Sequence, residues 1–529
     1  MRTLWIFLLL FLSAADQGYT ATYYMAPGGS DSGTGATDNE WLTLRYAVSQ
    51  MSQSDVLIIR DGTYSGPNNV LSQTQLPPSG LAGAFTTIRA EHDGLAIFQD
   101  GFIQMDGNPA APYAYISFEG IKALDYTMTY GVNLSYFKFS RCAFTYDETT
   151  PPSAGASFWI GAGCSYFLVE DCWAWGAGRY RFIAGGHHHV FRRCVARYDR
   201  TDWTDPMANF TSYDSDYVAF QNCIAIDSDH EEFWLNTSEV AGTFYIHHGS
   251  EYNTVKGCIS VNNHNPWLTG SPGLGLAIEN NLAIDIANIG EQTRADTYST
   301  GAFSIENCTL INITGDGLHP WGGSADSVTV VNNVLYGIGG VALYGADLAD
   351  GTYNCLYNNT TDYYITASDI NDYCAAQSNA IDPADGNPGN GIPAILYPVR
   401  VESGSNLDGT GYAGAGRGAT ILYRLGVAGT FYGEAGWDTE TEDSLWPWPN
   451  EGRIKADMAD YLYTGEIVGG GTDTLSGARG FAAVGKQLNG VDDITLTSYI
   501  WEYLGNQIPP EIYGYSHGGG HFSGMGNFR

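Results

Sequence analysis

Positive charge is what this chain has least of: 18 Arg and 5 Lys stand against 57 Asp and Glu, giving a formal net charge of −34. A field of that sign repels phosphate backbones and anionic lipid surfaces, which excludes nucleic acid as a partner. Long apolar runs are also missing. The one strongly apolar stretch, Leu4 to Leu12 (LWIFLLLFL), is less than half of the roughly 20 residues that a membrane-spanning helix needs. Arg2 precedes it and the small residues Ser13, Ala14 and Ala15 follow. Residues 1–15 therefore read as a secretory signal peptide cleaved after Ala15. The expected mature protein is secreted or held at the cell surface without a membrane span. Charged residues of both signs make up only 15% of the chain, which suits many short strands joined by polar turns.

Turn chemistry is abundant, with 67 Gly and 36 Tyr among many Asn, Asp, Ser and Thr. The segments FKFSRCAF, FLVEDCWA, VFRRCVAR, VAFQNCIA, NTVKGCIS, LAIENNLA, FSIENCTL and VTVVNNVL align without gaps. They place Cys142, Cys172, Cys194, Cys223, Cys258, Asn281, Cys308 and Asn333 in one column, with neighbours 22 to 35 residues apart. That spacing is one solenoid coil of three short strands with loops inserted between them. Two positions later come Phe144, Ala174, Ala196, Ala225, Ser260, Ala283, Leu310 and Leu335. With a side-chain period of two, this row and the column point inward and the flanking positions point out. Asn in such a column can bond the backbone of neighbouring coils, and Cys can replace it as a small, readily buried residue.

The strings E-N-N-L, E-N-C-T and V-N-N-V in these segments resemble the turn motif of pectate-lyase-like right-handed parallel β-helix proteins. The resemblance covers residues 85–375 and implies an all-β, right-handed parallel β-helix solenoid of on the order of eleven coils at about 4.8 Å per coil. Residues 16–84 read as an N-terminal cap and first coils. Their string YYMAPGGSDSGTG, WLTLRYAVSQ and SDVLIIRDGTYSG is similar to the opening of many secreted β-helix proteins. A short helix over Leu42 to Met51, with Leu42, Tyr46 and Met51 on one face, is expected to plug the open end of the first coil. Residues 376–395, which contain the string NAIDPADGNPGNGIPA, read as a linker rich in turn residues. Residues 396–514 read as a small C-terminal tail module similar to one that accompanies some bacterial β-helix proteins, with a helix over Thr495 to Leu504. The Gly-rich residues 515–529 are expected to be disordered.

Nine cysteines in an exported chain ordinarily prompt a disulfide framework. Six of them stack in one column here, pointing the same way, which is poor geometry for a bridge whose torsion should lie near 90°. Both readings stay open, a packed reduced stack and one or more disulfides.

The most unusual window is GRYRFIAGGHHHVFRRCVARYDR, which holds six of the chain's 18 Arg and a run of three His. Arg197, Asp199, Asp227, Asp229 and His264 fall on successive coils at one edge, and the solenoid brings them together. A basic group beside carboxylates is what β-elimination needs, with Arg or Lys abstracting a proton while a cation neutralises the substrate's carboxylate. Two carboxylates across a groove would serve glycoside hydrolysis equally well. Arg197 is the leading catalytic candidate, with Asp199, Asp227, Asp229 and His264 around it. Arg179, Arg181, His189, Trp175, Trp203, Trp234 and Trp267 are the candidate glycan-binding groups. Asp199, Asp227 and Asp229 are the candidate calcium ligands, since hard cations collect carboxylate oxygens. Against these stand structural explanations: Arg and Asp pairing as surface ladders, and Trp covering apolar outer rows such as Val195, Ile224, Ile226, Ile259 and Val261.

The familiar catalytic signatures of the resembling family are absent. R-x-P-x-x-R does not occur, and the Asp492-Asp493 and Arg453-Ile454-Lys455 pairs lie outside the coils. The resemblance implies a polysaccharide lyase or glycoside hydrolase acting outside the cell, and the negative field favours a neutral or calcium-bridged glycan. The competing expectation is a non-catalytic surface or matrix protein, a glycan-binding adhesin or a filament former, since solenoids can self-associate end to end through open strand edges.

Overall fold

The structure is a computed structural model. It describes residues 20–105, 107–129, 133–146, 155–200, 207–228, 241–247, 249–270, 275–287, 291–294, 303–319, 328–344, 348–350, 352–364, 382–385, 390–483 and 485–513. The expected signal peptide, the Gly-rich end and half of the linker lie outside these residues. No helix among them is long and apolar enough to cross a membrane.

The chain winds as a parallel β-helix with three faces, right-handed as parallel crossovers are. The second face is a twelve-stranded parallel sheet that gains one strand per coil, from Gly62–Tyr64 to Cys355–Tyr357. The first face carries strands such as Tyr113–Glu119, Leu134–Ser140 and Cys164–Glu170, and the third carries Thr127–Thr129, Ala156–Ile160 and Ala241–His247. Two long strands, Tyr180–Arg192 and Met207–Gln221, run through the corner between third and first faces, so the two faces are hydrogen-bonded as one 21-stranded sheet. Their register shifts between Ala184 and Gly186, at the corner itself.

The column seen in the sequence is the inner edge of the next corner. Each column residue directly precedes a second-face strand, and those strands pair in one register, Ala143↔Trp173, Trp173↔Val195, Val195↔Ile224 and Ile224↔Ile259 onward to Thr309↔Val334. Val334↔Cys355 extends the column by one rung, to Asn354. The residue before each column member is left-handed, for example Asp171 (φ 56°), Asn222 (φ 49°), Asn280 (φ 55°) and Asn307 (φ 54°), and this single residue turns the chain from one face to the next. Asn and Asp adopt that region more readily than most residues.

Asn and Cys do the same work in the column. Asn281 accepts from the Cys258 amide (2.6 Å) and donates to the Val255 carbonyl (2.7 Å). The Cys172 thiol donates to the Phe139 carbonyl (3.4 Å), and its sulfur accepts from the Cys142 amide (3.3 Å). The eight cysteines among the described residues are all buried free thiols. Burial pushes the Cys308 thiol up to about 12. Between the columns the lumen is filled by stacked rings, with Phe182, Phe210 and Phe244 at centroid spacings of 5.3 and 5.0 Å.

One sequence expectation shifts in detail. The capping helix spans Leu44–Gln50 and buries Leu44, Ala47 and Val48, with Met51 buried just after it, while Leu42 is exposed and Tyr46 only half-buried. The apolar face is therefore set by Leu44, Ala47, Val48 and Met51 rather than by Leu42 and Tyr46. Residues 390–513 pack along the outside of the second face, and one apolar cluster joins Trp173, Ile224, Ile259, Leu282 and Ile311 of the coils to Trp446, Ile454, Phe481 and Trp501 of the module. Each such aliphatic side chain fully buried contributes about 1.5–3 kcal/mol, so the shared cluster outweighs any single polar contact in holding the module. Helices Glu451–Ala459 and Leu496–Trp501 carry much of it, the second capped by Thr495 and Ser498.

Candidate functional site

Arg197 occupies an outward row of the second face between Trp175 and Ile226, and the C-terminal module covers it completely. Its guanidinium donates to the Gly477 carbonyl (2.8 Å) and the Met458 carbonyl (2.7 Å) and lies 3.0 Å from Asp199. Burial lowers its pKa to about 10, with Asp199 opposing the shift, so it stays charged at neutral pH. Asp199, also fully buried, accepts from Arg479 (2.7 Å) and from the Gly176 amide (2.8 Å). Asp227 accepts from the Phe481 amide (3.0 Å), the Tyr499 hydroxyl (2.9 Å) and the Asn262 amide group (3.0 Å). The geometry thus unites Arg197, Asp199 and Asp227, as the sequence implied, but as a socket into which the module docks rather than as an open groove. The charged residue in an apolar row is stabilised by the chain's own C-terminal backbone.

The other sequence candidates disperse. Arg181 is buried and donates to Ser157 (2.9 Å) and to the Trp175 and Ala177 carbonyls. Arg179 is half-buried over the Tyr180 ring. His189 points into the lumen, where burial lowers it to about 3. Its Nδ1 accepts from the Phe167 amide, so its Nε2 donates to the Gly185 carbonyl (2.9 Å). Trp175 lies beneath the C-terminal module and Trp267 inside the lumen, so neither offers a ring face to a sugar. His264 lines a small cavity with Tyr198, Asn209, Ser228 and Asn263. Asp229, Trp203 and Trp234 lie outside the described residues. Arg453 stacks on Trp173 and Lys455 donates to the Ile494 carbonyl, which assigns both to holding the module.

What stays open is the corner between the third and first faces. Tyr115, Tyr136, Tyr166, His188, Tyr217 and Tyr252 stand there on six consecutive coils, all left-handed with φ between 53° and 61°. Their rings form one stack, with centroid spacings of 4.8, 4.8, 4.9, 4.6 and 5.1 Å. In register beside the stack runs the row Ser135, Ser165, His187 and Asp216, continued by Glu251, whose amide donates to Asp216 (2.8 Å). His187 is exposed, and Asp216 and Glu251 are half-exposed. The Nδ1 atoms of His187 and His188 lie 2.8 Å apart, so one ring donates to the other. Burial, then His187, lowers the pKa of His188, and Asp216 opposes them, which favours a neutral ring able to accept a proton. On the opposite side of the stack, Tyr432 of the C-terminal module meets His188 (5.0 Å) and Tyr217 (5.9 Å) edge to face, and Trp437 leans on Tyr432. Carboxylates, imidazoles and phenols in one accessible line can bind a polyhydroxylated chain and move protons on it.

The architecture consists of parallel coils, a one-residue left-handed turn, and an Asn/Cys ladder behind it. The chain folds as a parallel β-helix. A search of protein families found no match. Pectate lyase PEL9 of Emericella nidulans is 30% identical over 109 residues, 21% of this chain and 24% of that protein, so the match spans about a quarter of the relative's length. Among solved structures, pectate lyase Pel9A is similar at 15% identity, with 76% of this chain and 96% of that one covered and a TM-score of 0.44. A GH87 α-1,3-glucanase catalytic domain is similar at 12% identity, with 60% and 64% covered and a TM-score of 0.37.

Two of the calcium ligands expected from the sequence, Asp199 and Asp227, do not fit the ion as they stand. Calcium takes about six to eight oxygens, whereas the oxygens of Asp199 and Asp227 already accept from guanidinium, amide and phenol donors and are buried under the module. The corner residues carried a readable signal that went unused: an aromatic ring six positions before the column in every coil from Tyr115 to Tyr252, with His187, Asp216 and Glu251 seven before it.

Proposed function

We propose that this chain is an extracellular polysaccharide-active protein whose working surface is the open corner, with Asp216 and Glu251 as paired carboxylates and the His187–His188 couple as a proton relay. The observation that carries it is the placement of His187, Asp216 and Glu251 in one accessible row on three consecutive coils, beside the aromatic stack. Strands about 4.8 Å apart set the two carboxylates side by side, as acid and base chemistry on a glycosidic linkage requires. The pectate-lyase likeness of one stretch supports a polysaccharide as the class of substrate, and the Arg2 to Ala15 segment supports export.

The test is incubation with uncharged and uronate polysaccharides, read both by absorbance of unsaturated products and by new reducing ends. Asp216→Asn and Glu251→Gln should each lower turnover by about 10²-fold or more while melting stays unchanged. Full turnover in both variants, or no release from any polysaccharide, sinks the catalytic assignment. A second reading, a filament-forming surface protein, has its own support in strand Thr361–Tyr364. That strand pairs with Val341–Tyr344 and exposes Tyr363 and Tyr364. Sedimentation to an ordered polymer without glycan release would favour it.

A further inference from the structure

Six bulky aromatic residues in a left-handed backbone conformation call for an explanation, because the neighbouring corner makes its turn mostly with Asn and Asp, with Gly257 and two Arg, Arg141 and Arg193, and with no aromatic ring from Arg141 to Asn332. Each such residue costs about 1–3 kcal/mol, and a stacked aromatic pair returns only about 0.5–1.5 kcal/mol, so stacking alone does not clearly repay the strain. The stack also leaves no ring face for a sugar. Each face is covered by the next ring, Phe85 packs edge-on against Tyr115 at one end, and at the other a Cβ on Gly275 would meet the Tyr252 ring at 2.6 Å.

What the stack does present is its rim. Tyr115, Tyr136, Tyr166 and Tyr217 are half-exposed and Tyr252 is exposed, and among the described residues none of their hydroxyls has a protein hydrogen-bond partner. Buried or docked phenols elsewhere are tied down in several places: the Tyr64 hydroxyl donates to the Arg60 carbonyl, that of Tyr397 to Gln507 and that of Tyr499 to Asp227. The rim therefore offers a hydroxyl on five of six consecutive coils, with the His188 ring on the sixth and Ser165, His187 and Asp216 alongside.

The charge of the corner narrows the ligand. Asp214, Asp216 and Glu251 face solvent there. The nearby cations are engaged: Arg192 and Arg193 are buried against Glu170 and Asp171, and Lys138 sits over the rings of Phe85 (4.5 Å) and Phe431 (5.0 Å). A polyuronate would meet carboxylates here, with only Lys138, half-buried over two rings, as a nearby cation outside a buried ion pair, inside a net field of −34.

We propose that the phenol rim from Tyr115 to Tyr252 binds an extended, uncharged polysaccharide lying parallel to the solenoid axis, its hydroxyls bonded to successive coils. This rests on the reading above and adds the substrate class and the direction of the chain. Tyr432 and Trp437 supply one wall, so the C-terminal module is part of the site.

The test is titration of the full chain with arabinoxylan, galactan and hydroxyethyl cellulose, and separately with polygalacturonate and alginate. The triple variant Y166F/Y217F/Y252F is run alongside, because it keeps the rings and removes three hydroxyls. The expected result is binding to at least one uncharged polysaccharide and to neither polyuronate, with affinity at least tenfold weaker in the triple variant and melting unchanged. Binding to polyuronates alone overturns the inference and leaves the polysaccharide reading standing. Wild-type affinity in the triple variant overturns the role of the rim. Absence of binding to every polysaccharide overturns both.

Discussion

Arg197 shows what a buried charge signifies in this molecule. Its neighbours in the outward row are Trp175 and Ile226, and it is tolerated only because two backbone carbonyls and Asp199 surround it once the module is docked. Removing one member of a buried pair leaves the partner uncompensated, at a cost of about 3–5 kcal/mol. Arg197→Ala should therefore lower the melting temperature clearly while glycan binding by the folded protein stays at the wild-type level. Lost binding with an unchanged melt would return Arg197 to the active surface. The sequence showed that this Arg had to be paired, because no apolar row accommodates a lone guanidinium. It could not show by what, since the partners Met458 and Gly477 lie some 260 to 280 residues downstream and contribute backbone atoms that carry no side-chain signature.

At the scale of the element, the coil is defined by a left-handed residue followed by one inward polar or thiol group. Asn333 accepts from the Cys308 amide (2.8 Å) and donates to the Ile305 carbonyl (2.9 Å), so it satisfies two buried backbone groups. Asn333→Ala leaves both unsatisfied and should cost about 1–3 kcal/mol. Asn333→Cys should cost clearly less, since Cys172 and Cys194 make the equivalent thiol-to-carbonyl bonds in their own coils. Equal melting of the two variants would mean that the column acts by packing alone. This level was the most legible in the sequence. A period of 22 to 35 residues with fixed inward positions survives loops of varying length, because register depends on the strands and not on what joins them. The capping helix was legible in position but not in face, since seven residues give too few turns for periodicity to choose between Leu42 and Leu44.

The whole molecule is a solenoid with one long side closed by its own C-terminal module and one corner left accessible. Sequence composition suggested a catalytic groove where Arg, His and Asp concentrate, but the structure divides that window: Arg197 and Asp199 lie at the intramolecular interface, and His187 and His188 lie at the open corner. Module docking joins segments far apart in the chain, which no local pattern encodes. The working surface is instead assigned to the corner, where the left-handed tyrosines, His187, Asp216 and Glu251 line up. Hydroxyl-radical footprinting of the full chain, with and without bound polysaccharide, tests that assignment most directly. The account predicts protection of Tyr166, His187, His188, Tyr217, Tyr252 and Tyr432, with no change along the second face. Protection elsewhere, with these six residues reacting as in the free protein, would contradict it.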